Sequence, residues 1–131
     1  MERWKKYNYL SLATKKRDGS WVETPIWFAQ QGHTLYCFSE SKAGKVKRLR
    51  NFAEVRISPC NVIGKILAES ENATAIIIED AAQLTEAKHA LLNSYGWQMR
   101  ALNVISTLAG KINKRAYIKI SLNTSNSTEK Q

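Results

Sequence analysis

A small, mainly β barrel with a few helices is the fold class this sequence predicts. Three observations point to it. Short runs of period-two alternation follow one another at close spacing, an Asp-Gly pair joins the first two, and helical periodicity is confined to one basic segment and to residues 82–109. The chain of 131 residues suits one domain, and a domain of that size buries roughly two-thirds of the surface its unfolded form exposes.

Taken in order, Met1 to Tyr7 sets Trp4 among charged residues as a short helical lead-in. Tyr9 to Thr14 alternates Leu10 and Leu12 against Tyr9, Ser11 and Ala13, the pattern of a strand with one face in a core. Lys16-Arg17-Asp18-Gly19-Ser20 turns the chain into a second strand, Trp21 to Gln30. There Val22, Thr24, Ile26 and Phe28 share one face, and Trp21, Glu23, Pro25 and Trp27 the other. Pro25 has no backbone N–H to give a ladder, so it belongs at an edge, a bulge or a ligand-lined break.

After the turn Gln31-Gly32-His33, Thr34 to Ser39 completes a three-strand meander. Ser41 to Arg50 is a short amphipathic helix with Ser41 as the expected N-cap and Val46, Leu49 and Phe52 at helical spacing. Glu54 to Cys60 is a strand stopped by Pro59 and the turn around Asn61 to Gly64, and a longer strand is expected from about Ile66 to Glu79. Helices are expected over Ala82–Tyr95 and Trp97–Ala109, with a break near Gly96, before a last strand at Arg115–Leu122. Asn123–Gln131 is polar and aperiodic, as a disordered tail is, which leaves a single domain over 1–122.

The formal net charge of +9 and a pI of about 9.7 call for an anionic partner: nucleic acid, anionic lipid or a phosphorylated small molecule. No apolar run approaches the ~18 residues of a membrane span, and the charged first six residues lack a signal-peptide pattern, so a cytoplasmic location is expected. Cys37 and Cys60 sit in strands without metal-ligand spacing and are expected as buried free thiols. The basic charge is densest at Lys42, Lys45, Lys47, Arg48 and Arg50. A helix start already favours anions, and residues three apart share a face, so Lys45 and Arg48 can converge on one phosphate while Lys47 points elsewhere.

Leu12-Ala13-Thr14 ahead of the Asp-Gly turn, Thr24-Pro25-Ile26-Trp27-Phe28, and the run Lys42 to Arg50 followed by Ser58-Pro59-Cys60 form a recognisable series. In this order and spacing they resemble the pyridoxamine 5'-phosphate oxidase-like split-barrel proteins, most closely the oxidoreductase branch that uses the deazaflavin coenzyme F420. The likeness covers about residues 7–122. It implies a six-stranded split barrel with a short basic helix and two further helices before the last strand. It further implies a homodimer that holds FMN or coenzyme F420 in a groove at the subunit interface and passes hydride to or from a small substrate. On that resemblance the ring would lie along Thr24, Pro25, Ile26 and Trp27. The phosphate would meet Lys42, Lys45 and Arg48, with Thr14 and Ser39 as further contacts.

Two other functions fit parts of the sequence. A nucleic-acid-binding barrel would use strand aromatics and nearby cations, but the cations cluster on one helix, and Trp21, Trp27, Tyr36 and Phe38 do not share a stacking face. A flavin carrier without catalysis is the other. No acid–base pair is evident, since His33 falls in a turn and His89 on a helix surface, and no catalytic residue is assigned. Flavin chemistry tolerates that absence because the cofactor carries the hydride.

Overall fold

The computed structural model describes residues 2–93 and 115–122. Its strands are β1 (Tyr9–Lys15), β2 (Trp21–Trp27), β3 (Ala29–Gln31), β4 (Thr34–Glu40), β5 (Glu54–Cys60), β6 (Glu71–Ile77) and β7 (Arg115–Leu122). Helix α1 spans Gly44–Asn51 and α2 spans 81–93. All strand pairs are antiparallel, in the order β2-β1-β5-β6-β7-β4-β3. No helix among the described residues is long and apolar enough to cross a membrane.

The two ends of this sheet are one piece of chain. Trp21 to Gln30 was expected as a single strand; the strand runs on to Gln31 and is interrupted only at Phe28, which raises the strand count from six to seven. Before the break the chain pairs with β1, Tyr9 opposite Trp27; after it, with β4, Ala29 opposite Tyr36. At the break, Phe28 N–H donates to the Asn8 carbonyl at 3.3 Å and its ring is buried. The sheet therefore curls into a barrel, and β2 touches β4 without pairing to it. Pro25 lies on the sheet-terminal strand β2, an edge where a missing N–H leaves no central ladder incomplete.

Leu10, Leu12, Ile26, Leu35, Ile57 and Ile118 fill the barrel interior. A second apolar layer forms outside it, where Ala87, Ala90 and Leu91 of α2 pack with Ala29, Tyr36 and Tyr117. The long strand expected over Ile66 to Glu79 is shorter: Ile66 makes only an isolated bridge to Cys60, and regular pairing begins at Glu71. The turn at Asn61–Gly64 explains this, because Asn61 N–H donates to Lys65 O at 3.0 Å and folds the segment back on itself. Cys37 and Cys60 are buried free thiols as expected. The expected helix over Trp97–Ala109, the break near Gly96 and the tail Asn123–Gln131 lie outside the described residues.

The lead-in is a 3-10 helix, Glu2–Lys6, that delivers Trp4 into the core. Trp4 is fully buried and stands edge-on to Phe28, with ring centroids 5.6 Å apart. Its indole N–H donates to Glu71 Oε2 at 3.0 Å, and Arg3 Nε donates to the same oxygen at 2.8 Å. A buried aromatic with its polar atom satisfied supports the closure residue directly. Trp4→Ala should cost about 3–5 kcal/mol, read as a lower urea midpoint with an unchanged slope.

Candidate functional site

The Glu40 carbonyl at the end of β4 accepts the Ala43 N–H at 3.0 Å, which places Ser41 and Lys42 in a turn. Helix α1 consequently starts later than expected, with Ala43 and not Ser41 as its N-cap and with no side-chain cap. Val46 and Leu49 are its buried residues, and through them α1 rests against β1 and β6. Lys45 and Arg48 each precede one of these anchors and flank the apolar stripe.

Both cations end on hydroxyls. Arg48 Nε donates to Thr14 Oγ1 at 2.6 Å, and Lys45 Nζ donates to Ser39 Oγ at 3.4 Å. Thr14 is fully buried and lies opposite Val22 and Val55; Val55 belongs to the interior core, so Thr14 shares the inner face. Ser39 stands two residues beyond the core residue Cys37 on β4 and has the same facing. Thr14 and Ser39 are therefore the polar rim of the barrel interior, and α1 lays two cations across that mouth.

Among the described residues neither Lys45 nor Arg48 has a carboxylate partner; the ion pairs are Arg3–Glu71 and Lys15–Glu54. Burial of the ammonium lowers the Lys45 pKa, and the neighbouring Arg48 guanidinium lowers it further, with Cys37 acting weakly the other way. Burial also pushes the Cys37 thiol up to about 12, which keeps it protonated and neutral at pH 7. The mouth thus holds two like charges near neutral hydroxyl and thiol groups, an environment that lacks only an anion.

Two further features fit a ligand. A Cβ added at Gly44 would lie 2.9 Å from Arg48 Nη1, so the guanidinium folds back over the first residue of α1 and its flexible end would have to shift to admit a larger residue there. Thr24 Oγ1 is buried without a hydrogen-bond partner among the described residues. Thr24 faces Leu12 on the inner side of β2, a diagonal neighbour of Thr14 at about 7–8 Å between Cα atoms. Orphaned buried hydroxyls are uncommon, and this one sits where β2 and β4 part.

Of the residues singled out from sequence, Thr14, Ser39, Lys45 and Arg48 come together at the mouth, with Thr24 along the inner face from them. Thr24-Pro25-Ile26-Trp27 divides between two faces. Ile26 is a core residue and offers a ligand only its backbone; Pro25 is exposed on the outer side, where Gly64 approaches it; Trp27 packs against Tyr9 with centroids 5.9 Å apart. Lys42 stays exposed in the turn and makes no bond among the described residues, while Lys47 and Arg50 point to solvent. Sequence reasoning passed over Gly44, although its place four residues before Arg48 puts the two on one helical face.

No protein-family model matches the chain, and neither does any curated protein. Solved structures do. The heme storage protein HutZ of Vibrio cholerae superposes with a TM-score of 0.69 at 14% identity, over 93% of this chain and 86% of its own. A candidate 5-nitroimidazole antibiotic resistance protein of Bacteroides thetaiotaomicron gives 0.64 at 16%, over 93% and 79%. A candidate pyridoxamine 5'-phosphate oxidase of Listeria innocua gives 0.60 at 17%, over 91% and 86%. At these identities the shared property is the fold, the split barrel of pyridoxamine 5'-phosphate oxidase-like proteins.

Gly44→Ala should leave the urea midpoint unchanged or raise it, by up to about 1 kcal/mol of helix propensity, while weakening anion binding about tenfold through loss of one charge-assisted contact. The lowered Lys45 pKa means that the charged form is disfavoured in the folded chain. That cost is present at neutral pH and fades as pH rises through the lowered value toward the ordinary 10.5. Lys45→Met should accordingly raise the thermal midpoint of ligand-free protein at pH 7, and the gain should shrink in alkaline buffer; a loss of stability at pH 7 would contradict the electrostatic picture.

Proposed function

We propose that this split-barrel chain is a flavin- or deazaflavin-dependent oxidoreductase that binds FMN or coenzyme F420 by its phosphate at the barrel mouth. One observation carries the reading: Lys45 and Arg48 meet buried or half-buried hydroxyls, with no carboxylate between them among the described residues. Charge-assisted hydrogen bonds of this kind are worth about 1.5–3 kcal/mol each, enough for two or three to dominate recognition of a phosphate. Thr24 Oγ1 and the unpaired β2 edge are suited to the polar rim of a ring running from the phosphate along β2.

In this reading Arg48 and Lys45 bind the phosphate, Thr14 and Ser39 fix the direction of those two side chains, and Gly44 leaves room for the guanidinium. A flavin-type ring supplies the hydride chemistry when bound. The chain's part is orientation and exclusion of water on the inner side, where Thr14 and the apolar anchors of α1 are closed off from solvent. A homodimer would supply the outer wall of the groove. The turn 61–67, with Val62, Ile63, Ile66 and Leu67 exposed beside Pro25, is apolar surface suited to such a contact.

A non-catalytic carrier is the second reading, favoured by the lack of a carboxylate or imidazole bonded to either cation among the described residues. Heme storage, the role named for HutZ, has less support here: His33 is at the opposite end of β4 from Ser39, and His89 is exposed on α2. Nucleic-acid stacking also has less support. Tyr36 is buried, Trp27 packs on Tyr9, and Arg115 covers Phe38 at 4.4 Å, which leaves no continuous aromatic face among the described residues.

Titration of the purified protein with FMN and with F420, followed by fluorescence, should give micromolar or tighter binding of at least one. The double variant Lys45→Ala with Arg48→Ala should weaken it about a hundredfold or more, and Lys47→Ala about twofold or less. Equal losses from the two would rule out the phosphate ligands named here. Turnover of a reducible substrate by the loaded protein separates the enzyme from the carrier.

A further inference from the structure

We infer that Lys45 is a carbamylation site: its Nζ takes up carbon dioxide and is held as a carbamate, N–COO⁻, against the Arg48 guanidinium. The change is covalent and belongs to this chain alone, so it does not depend on a flavin or on any phosphate at the mouth.

The charges around Nζ supply the driving force. Lys45 and Arg48 bring two positive charges, and the groups packed against them bring no negative one among the described residues. Thr14 on β1 and Ser39 on β4 are hydroxyls, and Cys37 on β4 is a protonated thiol. Ala73 and Ala75 belong to β6, the other strand that α1 rests against, and are apolar core residues. Other lysines are placed differently: Lys15 has Glu54 at 3.4 Å, and Lys42, Lys47 and Lys65 are exposed, where an ammonium keeps its hydration and its proton. Lys45 is half-buried beside a guanidinium. Both conditions favour the neutral amine, whose lone pair a carbon electrophile requires.

The step needs no oxidant or reductant. The Lys45 ammonium gives a proton to water, the amine lone pair forms an N–C bond to carbon dioxide as one C–O π bond opens onto oxygen, and a second proton leaves nitrogen. Lys45 thereby passes from a positive to a negative charge, and the two like charges become an ion pair, which removes the unpaired charge that is expensive to hold away from water. Arg48 is arranged to receive the new group. Its Nε is engaged by Thr14 Oγ1 at 2.6 Å, while Nη1 and Nη2 make no hydrogen bond among the described residues and form the fork that a carboxylate accepts. The N–H that stays on the carbamate nitrogen keeps the contact to Ser39 Oγ, now 3.4 Å from Nζ. A mouth neutralised in this way has no surplus charge for a second anion, so carbamylation and phosphate binding exclude each other.

Carbon-13 NMR of the ligand-free protein in labelled bicarbonate, at mildly alkaline pH, tests the site without any flavin. A carbamate resonance should be present in the wild type and in Lys47→Met and missing from Lys45→Met. Arg48→Gln should weaken it about tenfold, the equivalent of one charge-assisted contact, with the urea midpoint reporting that the variant folds. Esterification with triethyloxonium before mass spectrometry should leave an ethyl carbamate on Lys45. Identical spectra for wild type and Lys45→Met, or a trapped carbamate on other amines only, would overturn the site. An undiminished signal in Arg48→Gln would overturn the guanidinium as its counter-charge. The flavin titrations with Lys45→Ala and Arg48→Ala report on the phosphate reading separately.

Discussion

Phe28 interrupts a strand that would otherwise run from Trp21 to Gln31, and the barrel closes through that interruption. On one side of it the chain completes a ladder with β1 and on the other a ladder with β4, so the two ends of the sheet are held by a single covalent connection. The cost of a break is the loss of ladder bonds between β2 and the second half of β4. It is offset by burial of Phe28 against Trp4, whose indole is in turn held by Glu71. The same break opens the seam that a flat or fully closed sheet would not have, and it leaves Thr24 beside that seam with its hydroxyl unpaired among the described residues.

Helix α1 converts the end of the barrel into a site. It starts only after the turn at Glu40–Ala43 and is held by Val46 and Leu49, so its position is set by apolar anchoring and not by a cap. The stretch Lys45 to Arg48 then bridges strands that stand far apart in the sheet, β4 through Ser39 and β1 through Thr14. Burying the Lys45 ammonium, with Arg48 close by and no counter-ion among the described residues, opposes folding, and the lowered Lys45 pKa follows first from that burial and then from the neighbouring guanidinium. Retained frustration of this kind is common where a charge is kept for a ligand.

The remaining positive charge is dispersed over the outside of the barrel. Arg56 stacks on Trp21 at 4.5 Å, Lys15 approaches Trp21 and Phe52 at 5.8 Å each, and Arg115 lies over Phe38. These cations cover apolar rings with their own stems and charges. The net +9 is therefore a sum of separate local arrangements, and the pair at the mouth is set apart by being half-buried on hydroxyls, with no ring or carboxylate against it among the described residues.

Much of the strand framework was legible because period-two alternation reports which face of a strand is buried, and the Asp-Gly turn marks the first hairpin. Lys45 and Arg48 were legible as neighbours for a similar reason, since residues three apart on a helix share a face. The strand break at Phe28 was not, because nothing in Trp-Phe-Ala distinguishes a continuous strand from one that changes partner. The N-cap was misread for Ser41 because a serine in a turn and a serine at a helix start look alike until the Glu40–Ala43 bond is seen. What the sequence by itself determined was the set of elements, their inner faces and a dense basic helix, all of which follow from local periodicity. Only the tertiary structure decided that Arg48 would meet Thr14, thirty-four residues away. Barrel closure sets that distance, and local propensity has no access to it.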